Sequence, residues 1–156
     1  PYNEAMLTRA LILRTSSIPA VERAVRNAKP FRPLVSRFIA GDTVEESLVA
    51  AEKALATGLK VTLDYLGENT KSEAEALAAK STYVRMLDLI AETRRAKEFA
   101  PADPVLSADP LNISIKLTQC GLDQGEAFAE NNFRDVLGVA KAKGLFVRAD
   151  MEGSDY

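Results

Sequence analysis

Hydrophobic and polar residues alternate with two different periods along this chain, and the two periods predict helices and strands in turn. Residues 44–57 have apolar positions every three or four residues, behind the capping-box residues Thr43 and Glu46 and ahead of a glycine. This combination is typical of a short amphipathic helix. Residues 72–99, which open with a second capping pattern, and residues 125–143 repeat the helical period. They predict two longer helices.

Three short segments rich in β-branched and large apolar residues lie between and after these helices. They are residues 59–66, 112–118 and 146–151. Their composition and the glycines that flank them predict strands, whereas three prolines make residues 100–111 a loop. The order strand, helix, strand, helix, strand predicts βαβ units and a parallel sheet.

The first forty residues contain helix signals and few strand signals. We therefore predict two parts, an N-terminal helical arm over residues 1–41 and a strand-containing part over residues 42–156. The chain ends just after the third predicted strand, where a helix would normally follow. We expect it to be one portion of a longer fold.

Each predicted strand has one apolar face and one polar face. The polar positions are Thr62 and Asp64, then Ser114, Lys116 and Thr118, then Arg148, Asp150 and Glu152. If the apolar faces meet the helices, the polar faces line a shared interior, as in a (β/α) barrel, and Asp64, Lys116 and Asp150 converge at the carboxyl ends of the strands. An open sheet with its polar face in water explains the same pattern. The pattern alone leaves both arrangements open.

Composition and charge exclude several classes of protein. Lys and Arg number 20 against 22 Asp and Glu, a net charge of −2, so the chain lacks the basic surface that nucleic-acid binding needs. One cysteine and no histidine exclude an internal disulfide, a histidine-based metal site and a serine–histidine triad, and we predict no metal. Acid–base chemistry is left to Asp, Glu, Lys, Tyr or a cofactor. The charged stretch 92–98 is predicted to be the solvated face of its helix.

The strand ends resemble those of proline dehydrogenase. The matching segments are LDYLGE at residues 63–68, ISIKLT at residues 113–118 and VRADME at residues 147–152, preceded by RFIAG at residues 37–41. The resemblance implies an α/β fold, a distorted (β/α)8 TIM-like barrel of which only the N-terminal helices and the first three strands are present. It also implies a flavoenzyme that oxidises L-proline to Δ1-pyrroline-5-carboxylate by hydride transfer to FAD and passes the electrons to a quinone.

The resemblance assigns roles to the strand-end side chains. Lys116 resembles the lysine that pairs with the proline carboxylate, and Asp150 resembles the aspartate beside flavin and substrate, so these two are the predicted catalytic residues. Asp64 and Glu68 resemble acidic substrate-binding residues of the first βα junction. The arginine that pairs with that glutamate in the family is not in this sequence. The predicted cofactor contacts are Asp150, Arg148 and Glu152.

Two of these residues also have simpler interpretations. Arg148 lies on the same strand face as Asp150 and can neutralise it as a structural pair. Glu152, as a strand-end carboxylate, is expected to face solvent. Cys120 has no neighbouring histidine or basic cluster in the sequence, so we expect an unreactive thiol.

Two other functions fit the residues, and the resemblance adds partners to the first. One alternative is another (β/α) barrel enzyme with Lys116 as a Schiff-base lysine, and the other is a non-catalytic helical interaction module. The partners implied by the resemblance are L-proline, a quinone and Δ1-pyrroline-5-carboxylate dehydrogenase. No segment approaches the roughly 20 apolar residues of a membrane span and no signal peptide opens the chain. We expect a cytoplasmic, bacterial protein, with peripheral contact to the inner membrane as a further expectation.

Overall fold

The computed structural model describes residues 39–67, 70–97 and 109–152. The described residues from Gly41 onward belong to one compact unit. Most of the predicted N-terminal arm, most of the predicted 100–111 loop and Glu68 lie outside the described residues, and the boundary between residues 41 and 42 stays a prediction.

Three helices and three strands alternate in the described part of the chain. The elements are α1 (Val44–Ala56), β1 (Val61–Asp64), α2 (Glu73–Lys97), β2 (Leu111–Lys116), α3 (Glu126–Ala142) and β3 (Val147–Asp150), with two 3-10 turns, Leu117–Cys120 and Leu122–Gln124, between β2 and α3. No helix in these ranges is both long and apolar enough to cross a membrane.

The strands form one parallel sheet in the order β1-β2-β3. Asp64 lies opposite Ser114 across the first pair, and Lys116 lies opposite Asp150 across the second. The predicted parallel sheet of βαβ units is confirmed. Because all three strands run the same way, their carboxyl ends meet at one edge of the sheet.

Side-chain caps fix the starts of α1 and α2. Thr43 Oγ1 accepts a hydrogen bond from the amide of Glu46 at 3.2 Å, and the Glu46 carboxylate accepts one from the Asp42 amide at 2.9 Å. The amide of Glu75 donates to Ser72 Oγ at 3.3 Å. These bonds satisfy amides that have no partner inside the helix, so both predicted helix starts are confirmed.

The hydrophobic core lies between one face of the sheet and the helices. α1 packs against β1, α2 packs against β2, and α3 packs against α2 and the turn after β2. The largest fully buried apolar side chains are Tyr83, Leu87, Ile90, Leu111, Ile113, Ile115 and Val136. In β1 and β2 the apolar strand faces meet the helices, which is one of the two arrangements that the sequence pattern leaves open.

This arrangement does not extend to most of β3. Val147 packs against the core, but Ala149 is exposed and Met151 is 92% exposed. β3 is an edge strand among the described elements, and α2 and α3 pack mainly over β2 and the turn that follows it. Within the described residues, no apolar side chains therefore cover Ala149 and Met151.

The strands are shorter than their sequence patterns predict. β1 begins at Val61 because the residues before it have no partners along β2, and β3 covers only residues 147–150. Leu117 and Thr118 are predicted as strand but form a 3-10 turn, which ends at Gly121 with a left-handed φ of +96°. α3 starts at Glu126, one residue later than predicted.

Candidate active site at the carboxyl edge of the sheet

Three charged side chains meet at the carboxyl edge of the sheet. Asp64, Lys116 and Asp150 are the last residues of β1, β2 and β3. The Lys116 ammonium lies 3.0 Å from Asp64 Oδ2 and 3.8 Å from Asp150 Oδ2. The structure thus brings together the three side chains that the strand pattern predicted to converge. Their catalytic and binding roles stay predictions.

This charged triad combines one cation with two anions. The Lys116 side chain is only 16% exposed, so its charge loses part of its hydration. Two carboxylates offset that cost and stabilise the ammonium. The triad offers a cation for a ligand carboxylate and anions for a ligand ammonium. It is therefore suited to a zwitterionic ligand such as an amino acid.

A second row of polar side chains lies next to the triad on the same face of the sheet. In the strand register, Ser114 stands between Asp64 on one side and Arg148 on the other. Ser114 is buried, and its hydroxyl has no hydrogen-bond partner among the described residues. Further from the carboxyl edge, Thr62 Oγ1 donates to Asn112 Oδ1 at 2.9 Å. On this polar face, the side chains farther from the carboxyl edge than Ser114 are paired by a hydrogen bond. Those at the carboxyl edge are charged.

A buried hydrogen-bond network behind the triad involves two residues that the sequence analysis did not assign to the site. The Tyr83 hydroxyl and the Lys116 amide, the latter at 3.4 Å, both donate to Gln119 Oε1. Gln119 Nε2 donates to the carbonyl of Tyr65, the residue after Asp64. The rings of Tyr65 and Tyr83 meet edge to face with centroids 6.0 Å apart. Gln119 therefore connects the end of β1 to the end of β2.

The sequence carries only a weak signal for this network. Tyr83 fits the apolar period of α2, and its ring is part of the hydrophobic core. Burial, followed by the negative charge of Asp64, raises the pKa of Tyr83 well above its ordinary value. The phenol stays protonated at neutral pH and is a permanent donor to Gln119.

Glu152 is held by the turn after β2 instead of facing solvent as predicted. Its Oε2 accepts a hydrogen bond from the Thr118 amide at 2.9 Å, and its Oε1 accepts one from the Thr118 hydroxyl. The Thr118 carbonyl in turn accepts from Thr70 Oγ1 at 2.7 Å. Glu152 thus links the end of β3 to the 3-10 turn after β2 by two hydrogen bonds. Its role as a cofactor contact stays a prediction.

The other predicted residues have different surroundings. Arg148 is exposed, and within the described residues the ion pair of Asp150 is with Lys116 and not with Arg148 as the structural interpretation predicted. Glu68 lies outside the described residues. Burial and the charge of Glu152 raise the pKa of the Cys120 thiol to about 11, which agrees with an unreactive cysteine. The described ranges contain no group of three or more Cys, Asp or Glu side chains that could hold a metal ion.

A comparison with models of protein families shows which family this chain belongs to. The family model described as "Proline dehydrogenase" matches residues 47–156. The chain belongs to the proline dehydrogenase family. The resemblance drawn from the strand ends is therefore confirmed.

Curated members of the family show the same relationship over a longer protein. Proline dehydrogenase 1 of Bacillus subtilis is 36% identical over 120 residues, which cover 77% of this chain and 34% of that protein. Proline dehydrogenase of Deinococcus radiodurans is 28% identical over 149 residues, which cover 94% of this chain and 43% of that protein. The chain thus spans between a third and a half of the length of these relatives.

A solved structure shares the fold. The crystal structure of proline utilization A (PutA) from Bdellovibrio bacteriovorus, inactivated by N-propargylglycine, superposes with a TM-score of 0.67 at 23% identity, covering 91% of this chain and 16% of that one. This similarity shows the α/β fold with its parallel sheet.

Proposed function

We propose that this family member oxidises L-proline to Δ1-pyrroline-5-carboxylate, with FAD as the acceptor of the hydride, in proline catabolism. The observation that carries the proposal is the Lys116 ammonium held between two carboxylates at the carboxyl edge of a parallel sheet. Catalytic residues of (β/α) barrels lie at this edge. Membership of the family supplies the substrate class.

The proposal includes the architecture of the whole protein. The chain spans at most 43% of the two relatives described above, and a (β/α)8 barrel takes about 250 residues. β1, β2 and β3 are the first three strands of such a barrel, and the polar face of the sheet lines its interior. The remaining strands complete the pocket.

The triad binds proline by its two charges. The Lys116 ammonium pairs with the substrate carboxylate, and Asp64 and Asp150 hold that ammonium in place. Oxidation of the secondary ammonium removes one proton from nitrogen and one hydride from the ring carbon, which leaves a protonated imine. Asp150 is the carboxylate that takes the nitrogen proton. Positioning and electrostatics are therefore the contribution of these residues.

The flavin supplies the redox chemistry when it is bound, because its oxidised ring accepts a hydride. The described residues include side chains that could contact a flavin. Arg148 is an exposed cation on the polar face, suited to the electron-rich groups of a flavin, and Asp150 lies two residues later on the same face. Both oxygens of Glu152 already accept hydrogen bonds from Thr118, so we place it at the edge of the cofactor site.

The proposal extends to the later steps of catabolism. A quinone would accept the electrons from a bound flavin, and because quinones are lipid-soluble this would require peripheral contact with a membrane. The product is then the substrate of Δ1-pyrroline-5-carboxylate dehydrogenase. Family membership supports these partners, and the described residues contribute no further observation.

The geometry disfavours the alternative in which Lys116 forms a Schiff base. A Schiff-base lysine attacks as a neutral amine, which a hydrophobic or cationic environment favours. Two carboxylates within 4 Å stabilise the charged ammonium instead. Membership of a dehydrogenase family disfavours the non-catalytic module.

The deciding experiment is the visible spectrum of the purified full-length protein, recorded without oxygen before and after addition of L-proline. We expect a flavin band that bleaches with proline. Lys116→Met should retain the band and fail to bleach, because the carboxylate loses its partner. Lys143→Met is the matched control, since Lys143 forms an ion pair with Asp88 at 2.8 Å on the surface of the helices.

Four results would contradict the proposal. A full-length protein without flavin would exclude the cofactor, and a flavin band that ignores proline would exclude the substrate. Bleaching of Lys116→Met at the wild-type rate would remove Lys116 from the site. Borohydride trapping of a carbonyl compound on Lys116 would favour the Schiff-base enzyme.

A further inference from the structure

Ser114 has a buried hydroxyl without a partner. The residue is 4% exposed, and its Oγ makes no hydrogen bond to any described residue. Other buried polar side chains of the described residues do have partners: Thr118 bonds to Glu152, Gln119 to Tyr65, and Asn132 to the Cys120 carbonyl. Leaving a buried hydroxyl unpaired costs free energy, so each such group calls for an explanation.

The position of Ser114 points to the charged triad. It lies on the same face of β2 as Lys116, two residues earlier, and directly opposite Asp64 on β1. The Lys116 ammonium bonds to Asp64 at 3.0 Å, so it is held toward the row that contains Ser114. The unpaired hydroxyl therefore lies on the same face of the sheet as the ammonium, one row further from the carboxyl edge.

We propose that Ser114 is a substrate-contact residue, whose hydroxyl donates a hydrogen bond to an oxygen of the ligand carboxylate bound by Lys116. This inference rests on the proposed function. A carboxylate presents two oxygens and about four acceptor positions, more than one ammonium can fill. Asp64 and Asp150 are acceptors only when ionised and repel the ligand carboxylate. Ser114 adds a neutral donor at this point of the site.

The same reasoning separates a ligand role from a structural role. A buried serine that bonds to its own protein loses stability when its hydroxyl is removed. Ser114 has no such bond to lose among the described residues, so Ser114→Ala removes an unsatisfied group from the free protein. The Ser114→Ala protein should therefore be as stable as the wild type or more stable, and it should bind the ligand more weakly. Functional residues commonly show this opposition of stability and activity.

The test is anaerobic titration calorimetry on the full-length, flavin-loaded protein with cyclopentanecarboxylate. This probe has the ring and the carboxylate of proline but no amine to oxidise. We expect Ser114→Ala to raise its dissociation constant about tenfold, the effect of one hydrogen bond to a charged group, without lowering the melting temperature. Ser47→Ala is the matched control, because the Ser47 hydroxyl donates to the Val44 carbonyl within α1. It should bind the probe like the wild type.

Two outcomes would overturn the inference about Ser114. If Ser114→Ala binds the probe as tightly as the wild type, the hydroxyl does not contact the ligand. If Ser114→Ala has a lower melting temperature, the hydroxyl serves the structure of the protein itself. Lys116→Met in the same titration separates this inference from the proposed function. Loss of binding in Lys116→Met alone would leave the proposed function standing, whereas a wild-type protein that does not bind the probe would defeat both.

Discussion

Arg94 and Asp109 form a buried ion pair at the amino-terminal end of the sheet, opposite the charged triad. Arg94 Nη2 lies 3.1 Å from Asp109 Oδ1, and the Asp109 side chain is 1% exposed. Asp109 Oδ2 also accepts from the amide of Phe146 at 3.2 Å, and Arg94 Nη1 donates to the carbonyl of Gly144 at 3.1 Å. The pair therefore joins α2 to the chain before β2 and to the turn between α3 and β3.

Removing one partner of this pair should destabilise the fold strongly. Asp109→Asn removes the carboxylate charge from this buried pair, and we expect a loss of about 3–5 kcal/mol in the free energy of unfolding. Denaturant unfolding of the full-length protein measures it. Asp135→Asn is the control, because Asp135 is exposed and pairs with Lys80 at 2.9 Å, a contact worth about 0–1 kcal/mol. Equal losses of unfolding free energy in the two variants would contradict the strong stabilising role that we assign to the buried pair.

The Tyr83 hydroxyl should affect substrate affinity as well as stability. Tyr83→Phe keeps the ring and removes the donor to Gln119, which we expect to cost about 1 kcal/mol of stability. Because Gln119 connects the chain after Asp64 to Lys116, the KM for L-proline should also rise. Steady-state kinetics and denaturant unfolding test both effects.

A neighbouring hydrogen bond provides the control for Tyr83. Asn132 Nδ2 donates to the Cys120 carbonyl at 3.0 Å, in the same turn as Gln119 but on the side of α3. Asn132→Ala should lose comparable stability and keep the wild-type KM. If Tyr83→Phe also keeps the wild-type KM, the network stabilises the fold without positioning the site.

Signals that are local in the sequence predicted much of this fold and site. The caps at Thr43 and Ser72 fixed two helix starts, because a capping side chain acts within three residues. Alternation along the strands separated the apolar and polar faces of β1 and β2. The meeting of Asp64 with Lys116 followed from their places at strand ends, since parallel strands end at the same edge.

Features that depend on distant contacts could not be predicted in this way. Arg94 lies in a stretch predicted as solvated, yet it is buried because Asp109 lies against it. Gln119 follows a strand whose alternation continues through Thr118, although the chain turns after Lys116. The partner of Gln119, Tyr83, is 36 residues away in the sequence. No period or motif encodes such pairs.

Cys120 should make stability depend on alkaline pH. Burial and the charge of Glu152 raise the pKa of its thiol from 9.0 to about 11 in the folded protein. Between these values the unfolded chain releases a proton that the folded protein retains, so stability is full below pH 9 and falls as the pH rises toward 11.

The measurement for Cys120 is a comparison of two proteins across this pH range. Other groups also titrate there, so the relevant quantity is the difference in unfolding free energy between the wild type and Cys120→Ala. We expect the wild type to lose up to about 2–3 kcal/mol relative to the variant between pH 9 and pH 11. A difference that does not change with pH would show that the thiol is not perturbed by folding.

Glu152 should protect the turn after β2 from local opening. Its two oxygens accept from the amide and the hydroxyl of Thr118, and Glu152→Gln replaces one of these acceptors with an NH2 donor. We expect local stability to fall by about 1–3 kcal/mol, with faster hydrogen exchange at the Thr118 amide. Glu130→Gln is the control, since Glu130 forms an exposed ion pair with Arg134 within α3. Unchanged exchange at Thr118 combined with loss of flavin from the full-length protein would instead assign Glu152 to the cofactor, because a carboxylate that holds the flavin can be replaced without opening the turn.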